Sequence, residues 1–130
     1  MSKLDSNRKG GGYVQIFVYK LPNKNRGALQ NLLKEIAEKL REHGTLGSEF
    51  YQLYSREAFQ GFTTMASTFA SLPEEELWVE LDHYKGRRHR DQVMADLSKD
   101  SSVSALFRQL GPLVSTGYSI VMGEFEMMAL

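Results

Sequence analysis

The sequence predicts an α+β fold: a ferredoxin-like βαββαβ sandwich whose four-stranded antiparallel sheet carries helices on one face and pairs with a second copy into a dimeric α+β barrel. Three observations lead there. Strand-like runs rich in β-branched and aromatic residues interleave with helix-period segments; the helices are few enough to cover only one sheet face; and the chain divides into two βαβ-like halves. Its 130 residues suit one domain, in which folding hides roughly two-thirds of the unfolded surface. Residues 13–130 are expected to form that domain, after a disordered Gly-rich tail over residues 1–12.

The elements follow in order. Tyr13 to Tyr19 (YVQIFVY) has no helix-period stripe and reads as a strand that Pro22 ends. Leu29, Leu32, Leu33, Ile36, Ala37 and Leu40 then fall on one helical face, with Asn23 able to cap the start and Gly44 able to take the left-handed position past the end. Leu46 to Ser55 is a second strand. Residues 56 to 75 repeat Phe59, Phe62, Met65 and Phe69 every three or four positions, but Gly61 and many Ser and Thr oppose a stable helix. A long excursion with an apolar underside is expected there. Leu77 to Tyr84 alternates cleanly as a strand, Arg87 to about Leu97 is a helix, and Asp100 can cap a short helix that Gly111 and Pro112 stop. Tyr118 to Met128 is the last strand.

Sixteen Lys and Arg balance sixteen Asp and Glu, which removes the global basic footprint of a nucleic-acid binder and leaves little charge repulsion against self-association. Zero is a cancellation: residues 74 to 82 hold five acids and no base, residues 85 to 90 four Lys or Arg and no acid. No apolar stretch approaches the ~20 residues that span a bilayer, no secretory h-region follows the start, and there is no cysteine. A cytoplasmic protein without membrane contact is expected. Nucleotide loops, GxSxG and HExxH are absent, and His43, His83 and His89 stand apart without metal-ligand spacing. Neither metal nor cofactor is expected.

Alternation separates Leu77, Val79 and Leu81 from Trp78, Glu80, Asp82 and Tyr84. The aliphatic set is expected to meet the helices. The opposite face would then bear Tyr13, Phe17, Trp78, Tyr84, Ile120 and Met122, too apolar for water, so it should join a homodimer through the helix-free sheet. Glu80, Asp82 and Glu124 would share that interior. There they would either be paired or act in proton transfer.

With the elements placed, the chain resembles the uncharacterised YbaA-like family of the dimeric α+β-barrel superfamily, from about Tyr13 to Met128. The resemblance lies in Arg41, Glu42, His43, Gly44 and Leu46; in Arg87, Arg90, Asp91 and Val93; and in Gly123, Phe125 and Glu126. Where that family carries an M-P-F-D-G-K-R-M-like loop, this chain has GPLVSTGYS (111–119), without the acid and the bases. The resemblance implies a dimer and a small cavity between sheet and helices, and brings no substrate. Related branches include monooxygenases, isomerases and aldoxime dehydratase-like enzymes.

The candidate proton-transfer residues are therefore His43, Glu80, Asp82 and Glu124, and the candidate ligand contacts Tyr19, Trp78, Tyr84, Arg87 and Arg90. Each has a bland alternative. His43 can simply cap a helix C-terminus, and the arginines can be neutralised by Asp91 and by the acids at 74 to 76, 80 and 82. The function expected is a small-molecule-binding homodimer; an enzyme needing no cofactor and a non-enzymatic interaction protein are the alternatives.

Overall fold

Two ten-residue strands, β1 (Tyr13–Pro22) and β3 (Glu75–Tyr84), pair along their whole length at the centre of an antiparallel sheet of order β2-β3-β1-β4. β2 (Gly47–Gln52) and β4 (Val121–Glu126) are its short edges. The computed structural model describes residues 12–117 and 120–130. All of the expected tail but Gly12, and Tyr118 and Ser119 of the expected last strand, lie outside the described residues.

The leucine stripe forms helix α1 (Arg26–Glu42), with Leu29, Leu32, Leu33, Ile36 and Leu40 all buried. Each such side chain taken from water contributes roughly 1.5–3 kcal/mol. The helix starts later than expected, because Asn23–Asn25 form a 3-10 turn and the Asn25 amide donates to the Leu113 carbonyl instead of capping the helix. Gly44 takes a positive φ of 111° just past the end, where a Cβ would also press on Val93. After β3 come α3 (Arg87–Leu97) and α4 (Ser101–Phe107), the latter capped by the Asp100 carboxylate, which accepts the Ser102 N–H at 3.0 Å. The single turn α2 (Met65–Thr68) precedes β3. No helix among the described residues is long and apolar enough to cross a membrane.

The two faces of the sheet are the reverse of those expected. Tyr13, Tyr19, Leu21, Trp78 and Tyr84 belong to the same buried core as α1, α3 and α4, so the face with the aromatics and acids is the one the helices cover. Val14, Ile16, Val79, Leu81, Val121 and Phe125 lie on the helix-free face, with Phe125 54% exposed. Both faces are apolar, and alternation sorts residues into two sets without saying which set the helices choose. The large rings span the gap to the helices better than valines, and the acids on that side are desolvated and hydrogen-bonded.

The excursion also departs from expectation. Phe59 and Phe62 stack on each other with centroids 5.5 Å apart, yet remain 73% and 68% exposed. Its ends are anchored: Ala66 is buried, Arg56 Nη1 donates to Ser71 Oγ (3.1 Å), and Lys20 Nζ donates to the Phe69 carbonyl (3.1 Å). Leu29 has no exposed surface at all. Leu29→Ala should therefore cost about 2–5 kcal/mol in a denaturant melt, a loss that an exposed side chain would not produce.

Candidate functional site

The strand register aligns a polar row across the helix side of the sheet. Ser48, Asp82, Gln15 and Glu124 are successive cross-strand neighbours from β2 to β4. One step along, Phe50, Glu80, Phe17 and Met122 form the next row on the same face. Directly opposed side chains in such rows stand roughly 4.5–5.5 Å apart at Cβ, so chemistry distant in sequence becomes adjacent.

Glu80 and Asp82, two apart on β3, are 2% and 1% exposed and hydrogen-bond each other. Tyr19 OH donates to Glu80 Oε1 at 2.6 Å, and Ser48 Oγ donates to Asp82 Oδ1 at 2.6 Å. Burial, and then the charge of Asp82, push the Glu80 carboxyl well above the usual carboxylate range. Burial raises Asp82 too, but the hydrogen bonds from Glu80 and Ser48 favour its charged form. Two charges this close and this dry are disfavoured, so the two carboxyls titrate as one coupled pair, with the stronger upward push on Glu80. Tyr19 is driven above its ordinary range by burial and by Glu80.

Beside the pair, the Gln15 amide sits with its oxygen 2.8 Å from both Nε and Nη2 of Arg90 and its nitrogen 3.2 Å from Tyr84 OH. Guanidinium groups only donate, which sets this orientation. Arg90 also contacts Asp91 (3.1 Å) and Glu124 (3.6 Å). Tyr13 OH donates to Glu124, and Arg87, 63% exposed, reaches Asp91 (3.0 Å) and Glu124 (3.7 Å). The basic first turn of α3, unfavourable to the helix dipole, is matched by these two acids rather than by those at 74 to 76, 80 and 82.

A cavity of about 390 Å³ lies over this arrangement, between the sheet and the helices. Glu80, Asp82, Tyr19, Gln15 and Arg90 form its polar wall, and Phe17, Ile36, Leu40, Met94, Phe107 and Ile120 belong to its apolar one. The sequence candidates therefore divide. Glu80, Asp82, Tyr19 and Arg90 meet in the cavity. Glu124 steadies Arg90 from behind, Tyr84 is fully buried under Gln15, and Arg87 stays outside. Trp78 lines a different, larger groove of about 520 Å³ between α1 and β2, where Arg26 lies over its ring and the charged groups face water.

All three histidines are used elsewhere. His43 Nε2 lies 3.0 Å from Asp100 Oδ2, tying the end of α1 to the cap of α4, so it is a fastening and not a cavity residue. His83 is on the helix-free face with Glu49 at 2.6 Å, not on the helix side. His89 accepts the Lys85 N–H on Nδ1 (2.9 Å) and so donates from Nε2 to the Gly44 carbonyl (2.8 Å). Among the described residues no group of three or more His, Asp or Glu could hold a metal. Sequence reasoning missed Gln15 as a site residue. Its signal was present: one amide among Tyr13, Phe17 and Tyr19 on the same face of β1.

The sequence matches a family described as a protein of unknown function (DUF1428) over residues 12–112. This chain belongs to that family. No curated protein matches it. Solved structures with the same fold include a conserved protein of unknown function from Bacteroides thetaiotaomicron described as a possible oxidoreductase (14% identity, TM-score 0.55, 89% of this chain and 98% of that one). Another is a conserved protein from Methanosarcina mazei (16%, 0.57, 90% and 95%). A third is a dimeric ferredoxin-like protein from an uncultured marine organism (8%, 0.61, 98% and 96%). At these identities the likeness establishes the α+β, ferredoxin-like fold of this DUF1428 member.

The buried pair makes stability depend on pH. A carboxyl whose folded pKa is raised supports the fold fully below its unfolded value, here 4.5 for Glu80, and that support is lost as pH rises through the folded value. Chemical denaturation from pH 4 upward should show stability draining away over that range, with a shallower slope in Glu80→Gln, which lacks one of the two titrating groups.

Proposed function

We propose that this chain is a small-molecule-binding protein, acting as a homodimer, that takes an organic ligand into the sheet–helix cavity and presents it to a proton-sharing carboxyl pair. The observation that carries the reading is the Glu80–Asp82 pair itself. Two carboxyls this dry cost several kcal/mol relative to apolar packing, and they stand at the wall of a cavity rather than inside solid core. Two coupled carboxyls and a cation thus face one cavity, the combination that ligand sites use for orientation and acid–base work. The expected YbaA-like cavity between sheet and helices agrees with this place.

The dimer is supported separately by the helix-free face, where Val121 and Phe125 are exposed and Ile16, Val79 and Leu81 half-buried, an apolar surface of the kind that marks interfaces. A structural neighbour described as dimeric points the same way. The surface differs from the aromatic one expected from sequence, but the use is the same.

A thermal-shift screen against phenolic, quinone, lactone and acid metabolites should give ligand-dependent rises in Tm that shrink in Glu80→Gln and persist in His43→Ala. A broad library that moves no Tm would sink the cavity reading. By sedimentation the protein should be a dimer at micromolar concentration and Leu81→Lys a folded monomer; a monomeric parent protein would sink the dimer.

A further inference from the structure

We infer that the cavity ligand is a neutral carbonyl compound with an acidic C–H beside the carbonyl, and that the protein catalyses proton transfer at that carbon. The inference rests on the cavity being the binding site, as proposed above, and adds the ligand class and the reaction. Charge accounting selects the class. Arg87 and Arg90 are matched by Asp91 and Glu124, whereas among the described residues no cation is paired with Glu80 or Asp82, which leaves the carboxyl pair as the uncompensated group at the cavity. An anionic ligand would place a second negative charge beside it, and a charged ligand of either sign would have to shed its water against a mostly apolar lining. A neutral ligand with a mainly apolar body suits walls made of Phe17, Ile36, Leu40 and Met94.

The arrangement also suits a charge that moves during reaction. Asp82 and Gln15 are direct cross-strand neighbours, and Gln15 holds Arg90 by two 2.8 Å contacts, so the anion and the cation stand one strand apart. A guanidinium has five N–H donors, and the contacts of Arg90 with Gln15 (two), Asp91 and Glu124 leave one, on Nη1, for the cavity that Arg90 lines. In the step, the Asp82 carboxylate takes the α-proton. The C–H pair becomes the C=C bond of an enolate, and the carbonyl π pair moves to oxygen, near Arg90. Negative charge thus leaves the carboxyl pair and appears on an oxygen that a preorganised cation faces. The pair, now holding two protons, returns one to carbon: to the same carbon as exchange, or to the far end of a conjugated system as isomerisation. Nothing is oxidised or reduced, and the protein is restored.

The test is deuterium incorporation at C1 of 2-tetralone in deuterium oxide, followed by NMR, with ligand line broadening read in the same tubes to report occupancy. The wild-type protein should exceed buffer at least tenfold. Asp82→Asn should lose about a hundredfold of the catalysed rate, in the range typical of a general base. Because Asp82 is fully buried, Arg90→Met, at a position whose side chain is 19% exposed, is the second variant; it should slow exchange while line broadening persists. His43→Ala should exchange as the wild type does. Occupancy without protein-dependent exchange would overturn this inference and leave the binding reading standing. Absence of occupancy by 2-tetralone, cyclohexanone and 2-cyclohexenone alike would overturn the ligand class, whereas the metabolite screen judges the cavity itself. Catalysed exchange that survives in a folded Asp82→Asn variant would overturn the assignment of the base.

Discussion

The ten-residue antiparallel ladder between β1 and β3 is the constraint on which everything else hangs. An antiparallel register is a discrete choice, and slipping it by one residue would move each side chain of one strand across from the opposite face of its neighbour. With the register as it stands, Gln15 faces Asp82, Phe17 faces Glu80 and Tyr19 faces Trp78, all beneath the helices. Tyr19 then reaches diagonally to Glu80 at 2.6 Å. Neither β2 nor β4 could complete the polar row without this central pair, because both read their positions from it.

The row carries a price in stability that the rest of the core must offset. A carboxyl pair between rings and leucines survives because it is hydrogen-bonded: Tyr19 and Ser48 donate to it, and the two acids bond each other. Around it the leucine stripe of α1 closes the core, while Asp100 caps α4 and binds His43 at the end of α1. Those fastenings hold the helices over the sheet without filling the space between them. The cavity follows from that geometry: α1 supplies Ile36 and Leu40, α3 supplies Arg90 and Met94, and the sheet supplies the acids.

Arg90 connects the dry interior to the wet rim. Its side chain is 19% exposed, with Gln15 on the buried side and Asp91 and Glu124 toward solvent. An Arg in such a place is held by planar, multi-donor contacts that a lysine could not reproduce. Its neighbour Arg87, three positions earlier on α3, is 63% exposed and meets Asp91, Glu124 and Tyr13 at the rim without reaching the cavity.

Local rules made most of the fold legible. The leucine stripe named α1, the Asp100 cap named α4, Gly44 named the end of α1, and the alternation of residues 77 to 84 named β3, because each rests on neighbours within a turn or a strand. The same rules brought Glu80, Asp82, Tyr19 and Arg90 forward as candidates, on residue type and placement. They also sent the helices to the wrong side of the sheet, since two apolar faces look alike to a period-two pattern. Gln15 went unrecognised and His43 was overvalued for a related reason: their partners, Arg90 and Asp100, lie far away in sequence. Strand and helix identity are written locally in this chain, in spacing and caps. Which face is buried, which acids lose their water and which cation stands beside them were decided by tertiary packing, because desolvation and hydrogen bonding depend on what lies across the gap.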